Sequence, residues 1–155
     1  MAMMRLCDLA VGDIVSAVNG YGVDGEERVS PPMRVVSLGL GAGGWVNLVI
    51  DAEQGDPFEY EPSEIRGLDI TEGILKSFGF REFTDEKTAW LLDTDMFHRL
   101  WMFKGSNDWT FQVINYGLGY NHTLHQCIVK HIHELQHALH SVGIEKEVEY
   151  DTRGN

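Results

Sequence analysis

The chain is expected to fold as an α+β protein. An SH3-like small β-barrel would occupy residues 1–69. An α-β-β-β-α unit would follow over residues 70–155, with a long C-terminal helix laid on an antiparallel sheet. Three observations predict this. Short β-rich runs separated by Gly-rich turns fill the first part. A capped helix and longer apolar strands replace them after Leu68. Apolar residues then recur at helical spacing from Leu124 to Val142. With 155 residues and 43% hydrophobic content, the chain is long enough for one domain or two small packed ones.

The elements follow in order. Asp13 to Val18 is rich in β-formers, and Asn19 to Arg28, with its glycines and acids, reads as a loop. Met33 to Leu38 and Trp45 to Ile50 are β-branched runs joined by the turn Gly39 to Gly44. That glycine stretch lacks the Lys-Ser/Thr of a P-loop and precedes a strand rather than a helix, so it reads as a hairpin turn. Phe58 to Tyr60 and Ile65 to Leu68 complete the barrel strands. Thr71 suits an N-cap, Glu72 a first turn and Gly79 a C′ position, with Ile74, Leu75 and Phe78 as the apolar stripe of a two-turn helix. Strands are expected at Phe80 to Phe83, Ala89 to Leu92, Phe97 to Phe103 and Trp109 to Asn115, with a turn at Ser106-Asn107-Asp108. Thr123 and Gln126 form a T-x-x-Q capping box, and Gly143 closes the final helix. Leu124, Ile128, Ile132, Leu135, Leu139 and Val142 make its apolar face.

Charge narrows the function classes. The net charge is −12, and from Asp51 to Glu72 eight acids face one base, Arg66. Such a surface repels phosphates, so nucleic acid is not an expected partner. No run reaches the ~18 apolar residues of a membrane span. Met1 to Leu9 has neither the charge pattern nor the apolar core of a signal peptide. The expected location is therefore the cytoplasm, with no membrane partner. Cys7 and Cys127 stand far apart without CxxC spacing and read as ordinary thiols.

One motif carries explicit chemistry. His133-Glu134-Leu135-Gln136-His137 spells HExxH, in which two histidines four apart on a helix grip zinc and the glutamate activates a zinc-bound water. His140 follows on the same face. The helical wheel places His133, His137 and His140 opposite the apolar stripe, facing solvent or a partner, and His131 nearer the core edge. The extended form HExxHxxGxxH is absent. Only 18 residues follow His137, which leaves little chain to return a second helix and build a cleft, although Glu145, Glu147 or Glu149 could serve as a downstream ligand. Zinc hydrolysis with Glu134 as base and His133, His137 and His140 as metal ligands is therefore the alternative reading, and no catalytic, cofactor-binding or metal residue is assigned in the main one. Asp93 and Asp95 form a lone D-x-D that reads as a turn. Arg34, Arg66 and Arg99 are the phosphate contacts that a third reading, sequestration of a small nucleotide ligand, would use.

Two segments carry a resemblance. Ser63 to Phe80, containing Leu68-Asp69-Ile70-Thr71-Glu72-Gly73-Ile74-Leu75-Lys76-Ser77-Phe78-Gly79-Phe80, resembles the pattern I-x-P-I-x-L-T-E-E-x-L-x-K-x-G-F. Ile132 to Leu139, with Gly143 to Glu147, resembles V-H-E/Q-L-Q followed by G-x-E/K-E. With Leu9 to Val15 matching L-x-V/I-G-D/N-x-V, these motifs resemble those of small uncharacterised proteins of Bacteroidetes phages and mobile elements. The pattern admits Gln at the position of Glu134 and often Asn at that of His137. The resemblance therefore implies that HExxH here is one spelling of a structural helix. Gly73 departs from the pattern's second Glu, which weakens that short helix by up to ~1 kcal/mol. The function this implies is a non-enzymatic accessory protein that binds a host or phage protein and modulates host defence. Trp101, Trp109, Tyr116 and Tyr120 are its candidate interface aromatics.

Overall fold

The computed structural model describes residues 4–39, 44–50, 56–84, 88–94, 98–116 and 122–144. Contacts divide the chain between Leu68 and Asp69 into two compact units. The turn at 40–43, together with Asp95, Phe97, Tyr120 and the chain beyond Ile144, lies outside the described residues.

In the first unit the strands are β1 (Ile14–Tyr21), β2 (Glu27–Val29), β3 (Met33–Gly39), β4 (Trp45–Ile50), β5 (Phe58–Tyr60) and β6 (Ile65–Gly67). They form one six-stranded sheet in the order β2-β1-β3-β4-β5, with β6 also on β1. Val15 is paired with both Met33 and Gly67. A strand residue has one partner on each edge, so β3 and β6 flank β1 on opposite sides. β2 and β3 are separated by Ser30-Pro31-Pro32, where two prolines can donate nothing to a ladder. Ser30 bridges the break: its N–H donates to the Ala17 carbonyl at 2.7 Å, and the Ala17 N–H donates to its hydroxyl at 2.9 Å. Alternate residues face inward along these strands. Val15, Ala17, Met33, Val35, Val46, Leu48 and Ile65 form the core with Leu9.

The second unit begins with α1 (Glu72–Ser77), capped as its sequence requires. The Thr71 hydroxyl accepts from Ile74 N–H at 3.3 Å, and Gly79 takes φ +95° after the last turn. Then come β7 (Arg81–Glu82), β8 (Ala89–Asp93), β9 (His98–Lys104), β10 (Trp109–Asn115) and β11 (His122–Val129), followed by α2 (Ile132–Ser141). The five strands form an antiparallel meander in the order β11-β10-β9-β8-β7. Register fixes its two faces. Trp90, Met102 and Phe111 share one row, and Leu92, Leu100 and Val113 the next; all six are buried. The opposite face carries the rows Ala89–Phe103–Thr110–Ile128 and Leu91–Trp101–Gln112–Gln126.

Two expectations are corrected. The first unit is not an SH3-like closed barrel: among the described residues no ladder joins the outer strands, and the sheet stays open. Three of its strands have only three residues, and β6 spends its pairing on an edge of β1. The class is also not α+β with a long C-terminal helix. Among the described residues the protein is mostly β, with two antiparallel sheets and two α-helices. The long helix expected from Thr123 is shortened at its start, because His122–Val129 is a strand registered along the whole of β10, from Trp109↔Val129 to Asn115↔His122. Leu124 and Ile128 fit a helical stripe on paper, yet both stand exposed on β11. The ladder wins because it satisfies the backbone of β10, whose Phe111 and Val113 must sit inside. At the other end the expected stop holds: Gly143, at φ +82°, donates to the His140 carbonyl, and Ile144 N–H to that of Leu139.

Candidate functional site

The HELQH run occupies the first turns of α2. Its chain arrives from β11 through Lys130 and an isolated bridge between His131 and Asp69. His131 is the N-cap, with extended backbone, and its carbonyl accepts the first helical bond from Leu135 N–H. Its side chain makes no capping bond to the helix backbone. Glu134 closes the turn instead. One carboxylate oxygen accepts from Lys130 N–H at 3.0 Å, and the other lies 2.9 Å from His131 Nδ1. The carboxylate thus reaches back past the N-cap to the N–H of the residue before it, well after the Thr123-x-x-Gln126 box that the sequence suggests.

The histidines do not form an exposed row. His133 is only 3% exposed. Its ring stacks on His131, with centroids 5.7 Å apart and planes within 8°, and meets His137 edge-on at 5.9 Å. His137 is half-buried and His140 exposed. The helical wheel misses the burial of His133 because a wheel does not represent the residue leading into the helix. Here that residue, His131, covers it. Ile132, Leu135, Ala138 and Leu139 supply the rest of the buried face.

What this arrangement can do chemically is limited. Both oxygens of Glu134 are engaged at the helix start, whereas a general base needs its carboxylate turned to a metal-bound water. Among the described residues, no group of three His, Cys, Asp or Glu side chains is placed to hold a metal ion. Burial, and secondarily the charge of Glu134, push the Cys127 thiol pKa up.

The other candidates are committed locally. Asp93 receives Arg81 and Arg99, each at 3.2 Å. Arg66 grips Glu27 with two hydrogen bonds of 2.6 and 3.0 Å, and Arg34 donates to the Gly12 carbonyl at 3.2 Å. Arg99 also lies over the Tyr116 ring, 4.9 Å from its centroid. Arg66 and Arg99 thus meet carboxylates of the chain itself.

Of the expected interface aromatics, Trp101 and Trp109 are buried in the sheet, and Trp101 Nε1 donates to the Tyr116 hydroxyl at 3.1 Å. Apolar surface beside Trp101 is exposed at its neighbours. Phe83 is 56% exposed and Phe103 37%, and Trp101 lies between them: Phe83 meets it edge-on at 4.8 Å, and Phe103 stacks on it at 5.5 Å. The sequence carries a signal for this cluster in the alternation Trp101-Met102-Phe103, which sends Trp101 and Phe103 to one face and Met102 to the other. Phe83 lies just past the two-residue strand β7, beyond the reach of any periodicity.

No helix among the described residues is long and apolar enough to cross a membrane. Comparison of the chain with family models, curated proteins and solved structures finds no match.

Proposed function

We propose that this chain is a non-enzymatic protein-binding module. It would act in the cytoplasm of a bacterial host as an accessory protein of a phage or mobile element, the role its motif resemblance implies. The observation that carries the binding reading is the Phe83–Trp101–Phe103 cluster. It presents aromatic area on a rigid sheet, with Trp101 held by its bond to Tyr116. Aromatic anchors lose little side-chain freedom on docking and dominate many interfaces. The commitment of Glu134 to helix capping supports a structural rather than catalytic role for HELQH. The charge of −12 favours a host or phage protein with a basic rim, and such contacts weaken with salt.

The test is affinity capture from host lysate at low and high salt. Wild-type protein is compared with the Phe83→Asp/Phe103→Asp variant, whose fold is checked by circular dichroism. A partner held by the wild type and lost by the folded variant is the expected result. Recovery of no partner at any salt, or retention of the same partner by the variant, counts against the proposal.

A further inference from the structure

The two ends of the second sheet differ sharply. At one end β7 is two residues long and both are charged, Arg81 and Glu82, which are common protections against unwanted strand pairing. At the other end β11 runs for eight residues, His122-Thr-Leu-His-Gln-Cys-Ile-Val129, with no Asp, Glu, Lys or Arg. Its far edge has no ladder partner among the described residues. Residues 122–126 and Ile128 are exposed, Ile128 at 67%. A bulge in β11 at Leu124, between the partners of Val113 and Ile114, interrupts the register and leaves His125–Val129 as the regular stretch.

We propose that this stretch pairs with its counterpart in a second copy of the chain, antiparallel about a two-fold axis, joining two five-stranded sheets into one. Charge selects the occupant. Two copies that each carry −12 repel one another over most of their surfaces. They can approach where fixed charge is sparse, and β11 is an eight-residue strand with no Asp, Glu, Lys or Arg of its own, Glu134 being the charge felt at Cys127. A strongly basic partner gains nothing there and is better served by the acidic segments. An antiparallel pair of identical strands is also self-complementary, as a closed dimer requires. Centred on the regular stretch, the axis sets Cys127 opposite its own copy, His125 opposite Val129 and Gln126 opposite Ile128. The two Ile128 side chains then lie diagonally across the seam, sheltered from water. The interface is narrow, so the dimer is weak and concentration-dependent. It does not use Phe83 or Phe103, and its test is independent of the capture experiment.

Sedimentation equilibrium of the full chain, over a concentration series, should show the mass rising from 17.5 kDa toward twice that value. Ile128→Lys brings two cations together at the seam and should return the mass to one chain, with an unchanged circular dichroism spectrum. Gln126→Lys, also on an exposed position, should do the same and covers any folding defect in the first variant. A Cys7→Ser background isolates the register. Copper-phenanthroline and oxygen then oxidise the two facing Cys127 thiols, which lose two protons and two electrons to form one S–S bond. The Cα spacing of an antiparallel pair suits that bond. Cross-linked dimer is the expected product. A wild-type mass of one chain at the highest attainable concentration overturns the proposal. So does a dimer indifferent to both lysine variants, or one that fails to cross-link at Cys127.

Discussion

Glu134 shows how one residue type can fit two chemistries that share a spacing. In a zinc peptidase it would be the base; here its oxygens meet Lys130 N–H and the His131 ring. Glu134→Ala should therefore lower unfolding free energy by roughly 1 kcal/mol, the usual scale for losing a cap, in urea titrations. Glu134→Gln keeps an acceptor oxygen for Lys130 and should cost less. The bond from Lys130 N–H to Glu134 falls outside capping-box spacing, and Ser or Thr is the ordinary choice at an N-cap, so Thr123 drew the boundary instead. A second prediction concerns Glu27. The Arg66 guanidinium, chiefly through its hydrogen bonds, holds the Glu27 carboxyl below its usual value of 4.5. A depressed carboxyl contributes stability above its unfolded pKa and loses it as pH falls through the folded one. Glu27→Gln should thus be less stable than wild type at neutral pH. The gap should close as pH drops below 4.5, measured by thermal melts across the acid range.

At the scale of elements, helical and strand periods compete wherever apolar residues fall four apart. Leu124, Ile128, Ile132, Leu135 and Leu139 satisfy the helical period as a set, and only the last three are buried on α2. The helix start at Ile132 was hidden because Lys130 and His131 interrupt nothing in that pattern. Strand β11 was hidden because its faces are nearly all exposed and show no inside-outside alternation. By contrast, α1 was readable throughout: Thr71, Glu72 and Gly79 occupy the roles their chemistry prefers. Two substitutions separate these cases. Thr71→Ala should cost about 1 kcal/mol as the loss of a true N-cap. Thr123→Ala, on an exposed strand position, should stay within about 0.5 kcal/mol. Equal losses at both sites would mean that Thr123 starts a helix after all.

For the whole molecule, most strands were marked by residue type, but their closure was not. Met33–Gly39, Trp45–Ile50, Phe58–Tyr60 and Ile65–Gly67 lie where β-branched and aromatic residues cluster. Whether such strands close into a barrel depends on the pairing of the outermost ones, and no local pattern encodes a contact between distant segments. The same holds for the Phe83–Trp101–Phe103 cluster, which is assembled from β9 and the chain beyond β7. The aromatic content was plain in the sequence, while the choice of which rings remain outside was settled by register: Trp101 lies on the row with Leu91 and is buried, and Phe103 lies one row along and is not.

β1 pairs with three strands, and one of its ladders joins Val15 to Gly67 across most of the first unit's length. In the second unit, each strand from β7 to β11 pairs with its neighbour in sequence. Closing a long loop costs entropy before its contacts repay it, so the two units should not order at the same speed. During refolding, pulse-labelled amides of β8 to β10 should gain protection from exchange before those of β1 and β6. The slowest step should track the docking of Ile65–Gly67 onto β1. A substitution that weakens this ladder would slow refolding only if that docking already exists in the transition state. Otherwise the same change would chiefly hasten unfolding and leave the refolding rate nearly untouched.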